Sequence, residues 1–140
     1  MNREQKACRT WQLLMRCFFA HRAHLLASGA EFDLSPIQCQ VLHLIEPGRP
    51  LPMSRLAETL SCDASNVTGL VDRLESRGLI QRQPSASDRR VKVLQLTSTG
   101  SRLRALLLRR MAGRSLPLSR LSLDKQRMLV KILEALVDEQ

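Results

Sequence analysis

Residues 51–83 read LPMSRLAETLSCDASNVTGLVDRLESRGLIQRQ, and this stretch decides the fold. Ser54 to Leu60 has the composition of a short helix. The small, polar Ser61-Cys62-Asp63 turn follows, with Asp63 placed to cap a second helix running to about Arg77. Gly78 can adopt the left-handed conformation that ends it. Val67, Leu70, Val71 and Leu74 recur at i, i+3, i+4 and i+7, so that face of the second helix belongs in a core. The opposite face carries Ser65, Thr68, Gly69, Asp72, Arg73 and Ser76. A helix that merely meets solvent more often carries Lys and Glu in i,i+4 pairs. A nearly flat face of small hydrogen-bonding groups beside an arginine suits close docking in a DNA major groove.

Downstream, residues 79–83 and 91–96 have the composition of two strands, and PSASDRR, residues 84–90, joins them. A hairpin directly after a helix of this kind is the wing of a winged helix-turn-helix. Arg89 and Arg90 stand at its tip, where DNA backbone or minor groove is the natural acidic recipient. Thr97 can cap a long helix over 98–114, with Leu103, Leu106, Leu107 and Met111 on its apolar side. Pro117 interrupts the chain, and Ser122 opens a last helix with Leu129, Ile132, Leu133 and Leu136 on one face.

Upstream, residues 3–28 place Trp11, Leu14, Met15, Phe18, Leu25 and Leu26 at helical spacings, and Gly29 is expected to close that helix. The segment LSPIQCQVLHLIEPG is a second helix, capped by Ser35, with Pro36 in its first position and a stripe of Ile37, Val41, Leu44 and Ile45. The fold class is therefore mainly α with a small β-hairpin wing.

The chain has 140 residues, with 22 Lys+Arg against 13 Asp+Glu and a formal charge of +9. An acidic partner, nucleic acid or an anionic surface, follows from that balance. One Trp, three Phe and no Tyr argue against stacking platforms for single strands, so a duplex is the better fit. No apolar run approaches the roughly 20 residues of a membrane span, and charges interleave the first 22 residues, so no membrane partner and a cytoplasmic location are expected. In a reducing compartment Cys8, Cys17, Cys39 and Cys62 read as thiols. No nucleophile elbow, phosphate-cradling glycine loop or dispersed catalytic set is present, so an enzyme is not expected, nor any cofactor.

These features together resemble the MarR family of transcription regulators. Asp88, Arg90, Leu96 and Thr97 fit that family's D-x-R, five residues, L-T pattern, and LAETL followed by VTGLVDRLESRGLIQR resembles its helix-turn-helix and the approach to the wing. The resemblance implies a homodimer that binds a pseudo-palindromic operator in double-stranded DNA, represses transcription, and is released by a small effector. It implies a helical dimerisation region at 1–34 and 98–140 and a DNA-binding domain at 35–97. Carried over by position, Ser65, Asn66, Thr68 and Gly69 fall where base edges are met and Arg73 near phosphates. Arg89 and Arg90 fall on the wing, with Asp88 orienting the wing arginine. The family commonly has glycine where Ser61 stands, which implies a strained turn. The effector seam would draw on Trp11, Met15, Phe18, His43 and Arg102, and an apolar wall with cationic groups suits a small aromatic acid or phenol.

Alternatives stand beside these readings. Asp72 is awkward beside phosphates, and a structural pairing with Arg73, Ser76 or a neighbouring arginine is favoured over a base contact. The arginines at 102, 104, 109, 110 and 114 read as a solvated helix face rather than an extension of the footprint. Cys17, His21 and His24 share one helix face, but no acid accompanies them, and packing at a dimer interface is preferred to a metal site. Cys17 also resembles, by its position in the first helix, the sensing thiol of the family's hydroperoxide branch, which implies a cysteine-based redox-sensing repressor as an alternative, although the tyrosines that partner the thiol there are missing. A winged-helix module for protein–protein docking is the rival from another class, which the charge and wing arginines disfavour.

Overall fold

A computed structural model describes residues 1–114 and 117–138, without the side chains of Leu25, Arg114, Pro117 and Asp138. The expected burial of Leu25 and the surface role of Arg114 lie outside the described residues, as do positions 115, 116, 139 and 140 of the expected helical region. The element order is α1 (Arg3–Ala30), α2 (Pro36–Leu44), β1 (Leu51–Pro52), α3 (Met53–Leu60), α4 (Ala64–Ser76), β2 (Ile80–Pro84), β3 (Lys92–Leu96), α5 (Ser98–Arg114), a 3₁₀ turn (Pro117–Arg120) and α6 (Leu123–Asp138). The chain divides into two compact units, Met1–Leu25 with Arg109–Gln140, and Leu26–Leu108. These divisions fall inside α1 and α5, whereas the sequence-based limits fall after α1 and just before α5.

The second unit holds the core. Val67, Leu70, Val71 and Leu74 of α4 are all buried, as their spacing requires, together with Val41, Leu42, Ile45, Leu56, Leu79, Ile80, Leu94 and Leu107. Each such side chain withdrawn from water contributes about 1.5–3 kcal/mol, so α4 is fixed by its inner face while its outer face stays free. The α2 stripe is rotated from expectation. Leu42 is fully buried, but Ile37, expected inside, is exposed because it lies in the first turn beside the solvent-facing cap. Ser35 and Gln38 form a reciprocal capping box, with the Gln38 N–H donated to Ser35 Oγ at 3.3 Å.

Three further expectations need correction. Gly29 does not close α1; it lies inside the helix, buried, and a Cβ there would stand 2.4 Å from Cys39 Sγ. The glycine serves close packing, and the left-handed residue after the helix is Asp33, with φ 54°. Asp63 sits at the start of α4 with extended φ −65° and ψ 148°, but its side chain makes no capping hydrogen bond. The hairpin is part of a three-stranded antiparallel sheet in the order β1-β3-β2. Leu51 and Pro52 pair with Leu94 and Val93, a strand that the sequence pattern does not reveal. The turn between α3 and α4 does place Ser61 in the left-handed region, at φ 50° and ψ 41°.

Thr97 joins the wing to α5. Its Oγ1 donates to the Gly78 carbonyl at 2.6 Å and accepts the Gly100 N–H at 3.0 Å, so one hydroxyl satisfies the end of α4 and the start of α5. Gly100 permits this approach, since a Cβ there would lie 1.8 Å from the Leu79 carbonyl oxygen.

Candidate nucleic-acid interface

Burial of one face of α4 leaves Ser65, Asn66, Thr68, Asp72, Arg73 and Ser76 on its surface, with Gly69 half-buried. Thr68 Oγ1 donates to the Ala64 carbonyl and Ser76 Oγ to the Arg73 carbonyl, both at 2.9 Å. The two hydroxyls thus lie folded against the helix, each keeping its oxygen as an acceptor. Gly69 has open space beyond its own helix, with no described atom outside the local helix backbone within 4 Å of where a Cβ would stand. Nothing among the described residues requires a glycine there.

Asp72 is not free. Its carboxylate pairs with the Arg82 guanidinium of β2, which is the structural pairing with a neighbouring arginine rather than with Arg73 or Ser76. Glu75, almost one turn on, accepts the Arg82 backbone N–H at 3.0 Å and lies 3.7 Å from the same guanidinium. Arg82 is a functional candidate that sequence reasoning misses; the signal available is its position in the strand that follows α4, ten residues beyond Asp72.

The wing closes through backbone bonds. The Ser85 N–H donates to the Val91 carbonyl at 2.8 Å and the Val91 N–H to the Asp88 carbonyl at 3.0 Å. Asp88 Oδ1 accepts the Arg90 N–H at 3.0 Å, so the carboxylate fixes the Arg90 main chain and leaves its guanidinium unengaged. Arg89 and Arg90 are both exposed, and no acid among the described residues pairs with either. Two cations held at a loop tip without an internal partner are available to an external anion.

Arg77, at the end of α4, has a structural task. Its guanidinium donates to the Asp33 and Phe32 carbonyls at 2.5 and 2.9 Å, satisfying groups left open beyond α1. Arg104 departs from the expected solvated face as well. It is half-buried and donates from Nη2 to the His43 carbonyl at 3.2 Å. Arg102 and Arg109 are exposed.

The effector candidates are divided between the units. Trp11, Met15 and Phe18 lie on α1 in the first unit, with only Met15 half-buried, whereas His43 and Arg102 belong to the second. His43 shares a hydrogen bond between its Nδ1 and the Cys39 carbonyl, 3.0 Å away. Burial pushes the Cys39 thiol above its ordinary pKa, only partly offset by a backbone hydrogen bond. Cys17 is an exposed free thiol. Among the described residues no three metal-ligating side chains cluster, and no helix is long and apolar enough to cross a membrane.

The geometry agrees with comparisons to known proteins. The MarR family model matches residues 34–92, from the end of the α1–α2 connection into β3. The HTH-type transcriptional regulator YhbI of Bacillus subtilis is 30% identical over 107 residues, which cover 74% of this chain and 70% of YhbI. The chain belongs to the MarR family. A second relative, the HTH-type transcriptional regulator YfiV of Bacillus subtilis, is 34% identical over 93 residues, covering 66% of this chain and 58% of YfiV. The chain thus spans under two thirds of YfiV, and the same holds for the transcriptional repressor NicR of Pseudomonas putida, 29% identical and 58% covered. Among solved structures, the YusO protein of Bacillus subtilis aligns over 100% of both chains at 28% identity and a TM-score of 0.60. Apo MarR of Escherichia coli aligns over 89% of this chain and 93% of its own at 23% identity and a TM-score of 0.68, which shows the shared winged-helix fold. The family match covers the whole of α4 and most of the wing.

Proposed function

We propose that this MarR-family chain is a cytoplasmic transcriptional repressor that binds a pseudo-palindromic operator in double-stranded DNA as a homodimer. The observation that carries the reading is the continuity of two features in one unit. An α4 face of small polar groups is followed directly by a wing whose two arginines lack an acid partner among the described residues. Ser65, Asn66, Thr68 and Gly69 would meet base edges, while Arg73, Arg89 and Arg90 would meet phosphate and minor groove, with Asp88 holding the wing turn. The relatives are named as regulators and repressors rather than enzymes, in keeping with a binding protein.

The homodimer rests on the first unit. None of its described side chains is buried, and Trp11, Phe19, Leu123 and Val137 are each more than 60% exposed. An apolar surface of that kind calls for a second copy, with dimerisation assigned to 1–34 and 98–140 and DNA binding to 35–97. Release by a small effector, an aromatic acid or phenol, completes the reading. Such a ligand must bind the DNA-incompetent form more tightly to have any effect.

The test is a titration of labelled duplex DNA across a range of salt, with wild type and Arg90→Ala. Wild type should bind with an affinity that falls steeply with salt, and the variant should bind more weakly with a log–log slope lower by about 1. Equal affinity and slope would remove the wing from the interface.

A further inference from the structure

Strand β2 lies at the edge of the sheet, paired only with β3. Arg82 sits opposite Leu94 in that pairing, and its own N–H points the other way, to Glu75 Oε1 at 3.0 Å. Its guanidinium Nη2 pairs with Asp72 Oδ1 and lies 3.7 Å from Glu75 Oε2. One wing residue therefore grips the reading helix by main chain and side chain, on two carboxylates less than a turn apart. The Arg82 side chain retains only 28% exposure, against 81% for Arg49 in its exposed pair with Glu46. It is a sheltered contact, in which charge pairing is screened less than at the open surface.

This arrangement answers the difficulty that Asp72 presents. A carboxylate on the exposed face of α4, next to Arg73, would stand among groups that meet DNA phosphates and would repel them. Glu75, half-buried further along the helix, adds a second negative charge. Arg82 supplies the cation that offsets them. It also sets the relation between α4 and the wing, because an edge strand otherwise leaves its outward N–H free.

We propose that Arg82 is a positioning residue for DNA binding. It touches no DNA; it fastens the first wing strand to the reading helix and keeps Asp72 and Glu75 from opposing the phosphates. The proposal rests on the DNA-binding reading above and goes beyond it, since the arginines assigned there to DNA are Arg73, Arg89 and Arg90.

The experiment measures duplex affinity, thermal midpoint and amide exchange in β2 and β3 for wild type, Arg82→Ala, Arg82→Lys and the double variant R82A/D72N. Arg82→Ala should weaken binding about tenfold, ~1.4 kcal/mol, and speed exchange in the wing. Adding Asp72→Asn should restore at least about threefold of that loss, because the unopposed carboxylate has gone. Arg82→Lys retains the charge without the planar fork, so it should fold, bind a few-fold more weakly and show faster wing exchange. If Arg82→Ala fails to fold, the lysine variant decides, and wild-type affinity and exchange in it would overturn the proposal. A tenfold loss with no recovery in the double variant and no change in wing exchange would make Arg82 a direct DNA contact, and would also overturn it. If wild type binds duplex and Arg82→Ala binds it equally well, the proposal alone falls. If wild type binds no duplex, the DNA-binding reading and the proposal fall together.

Discussion

Ser61 holds φ 50° and ψ 41° in the turn between α3 and α4, a conformation that costs a non-glycine residue about 1 kcal/mol or more. Its N–H donates to the Glu58 carbonyl at 3.1 Å, and the next N–H, of Cys62, reaches the Ala57 carbonyl at 3.1 Å. The turn is kept because α3 and α4 must both reach the core. Ser61→Gly should therefore raise stability by about 1 kcal/mol in chemical denaturation; an unmoved midpoint would show that the serine is not strained. Gly69 is the opposite case. With open space where its Cβ would stand, Gly69→Ala should stabilise α4 by up to about 1 kcal/mol while weakening duplex binding. If affinity is unchanged, no partner approaches the helix closely at that point. The sequence displays every glycine but not its reason. Gly29 reads as a helix stop and is in fact a close approach to Cys39, because only the packing of the end of α1 on α2 distinguishes space from φ.

At the scale of elements, the proposed interface divides between α4 and the wing. The α4 side chains assigned to base edges are short, whereas the wing arginines are long cations on a backbone-bonded loop. Ser65→Ala and Thr68→Ala should change which bases are preferred, at about 1–3 kcal/mol for each base-edge hydrogen bond removed, with little effect on the salt slope. A uniform weakening across sequences would instead place these hydroxyls on phosphate. Much of this is legible in the sequence. Val67, Leu70, Val71 and Leu74 declare the buried face by period alone, and the outer face follows from it. What is not legible depends on distant partners. Strand β1 is two residues, one of them proline, and exists only because β3, far along the chain, lies beside it. Asp63 has the composition of a cap, yet its side chain makes no capping bond. The grip of Arg82 on α4 requires the hairpin to fold back along the helix, which no local pattern announces.

For the whole molecule, the contrast between the two units is informative. Among the described residues, the unit of Leu26–Leu108 contains the entire buried core, and that of Met1–Leu25 with Arg109–Gln140 has no buried side chain. Helices with Phe19 at 64% exposure and Met128 at 65% are not stable endpoints for a lone chain in water. Sedimentation at micromolar concentration should give a dimer, and a monomer would contradict the assignment of these helices to self-association. A two-fold dimer presents two α4 helices and two wings, and so requires two-fold symmetry in what it binds. The most direct measurement is selection of bound duplexes from a random pool by the purified wild-type protein. The account predicts an enriched motif with two inverted half-sites centred roughly 10 bp apart, recovered with weaker enrichment in selections made with Arg90→Ala. Recovery of no enriched duplex, or of a motif without two-fold symmetry, would contradict it.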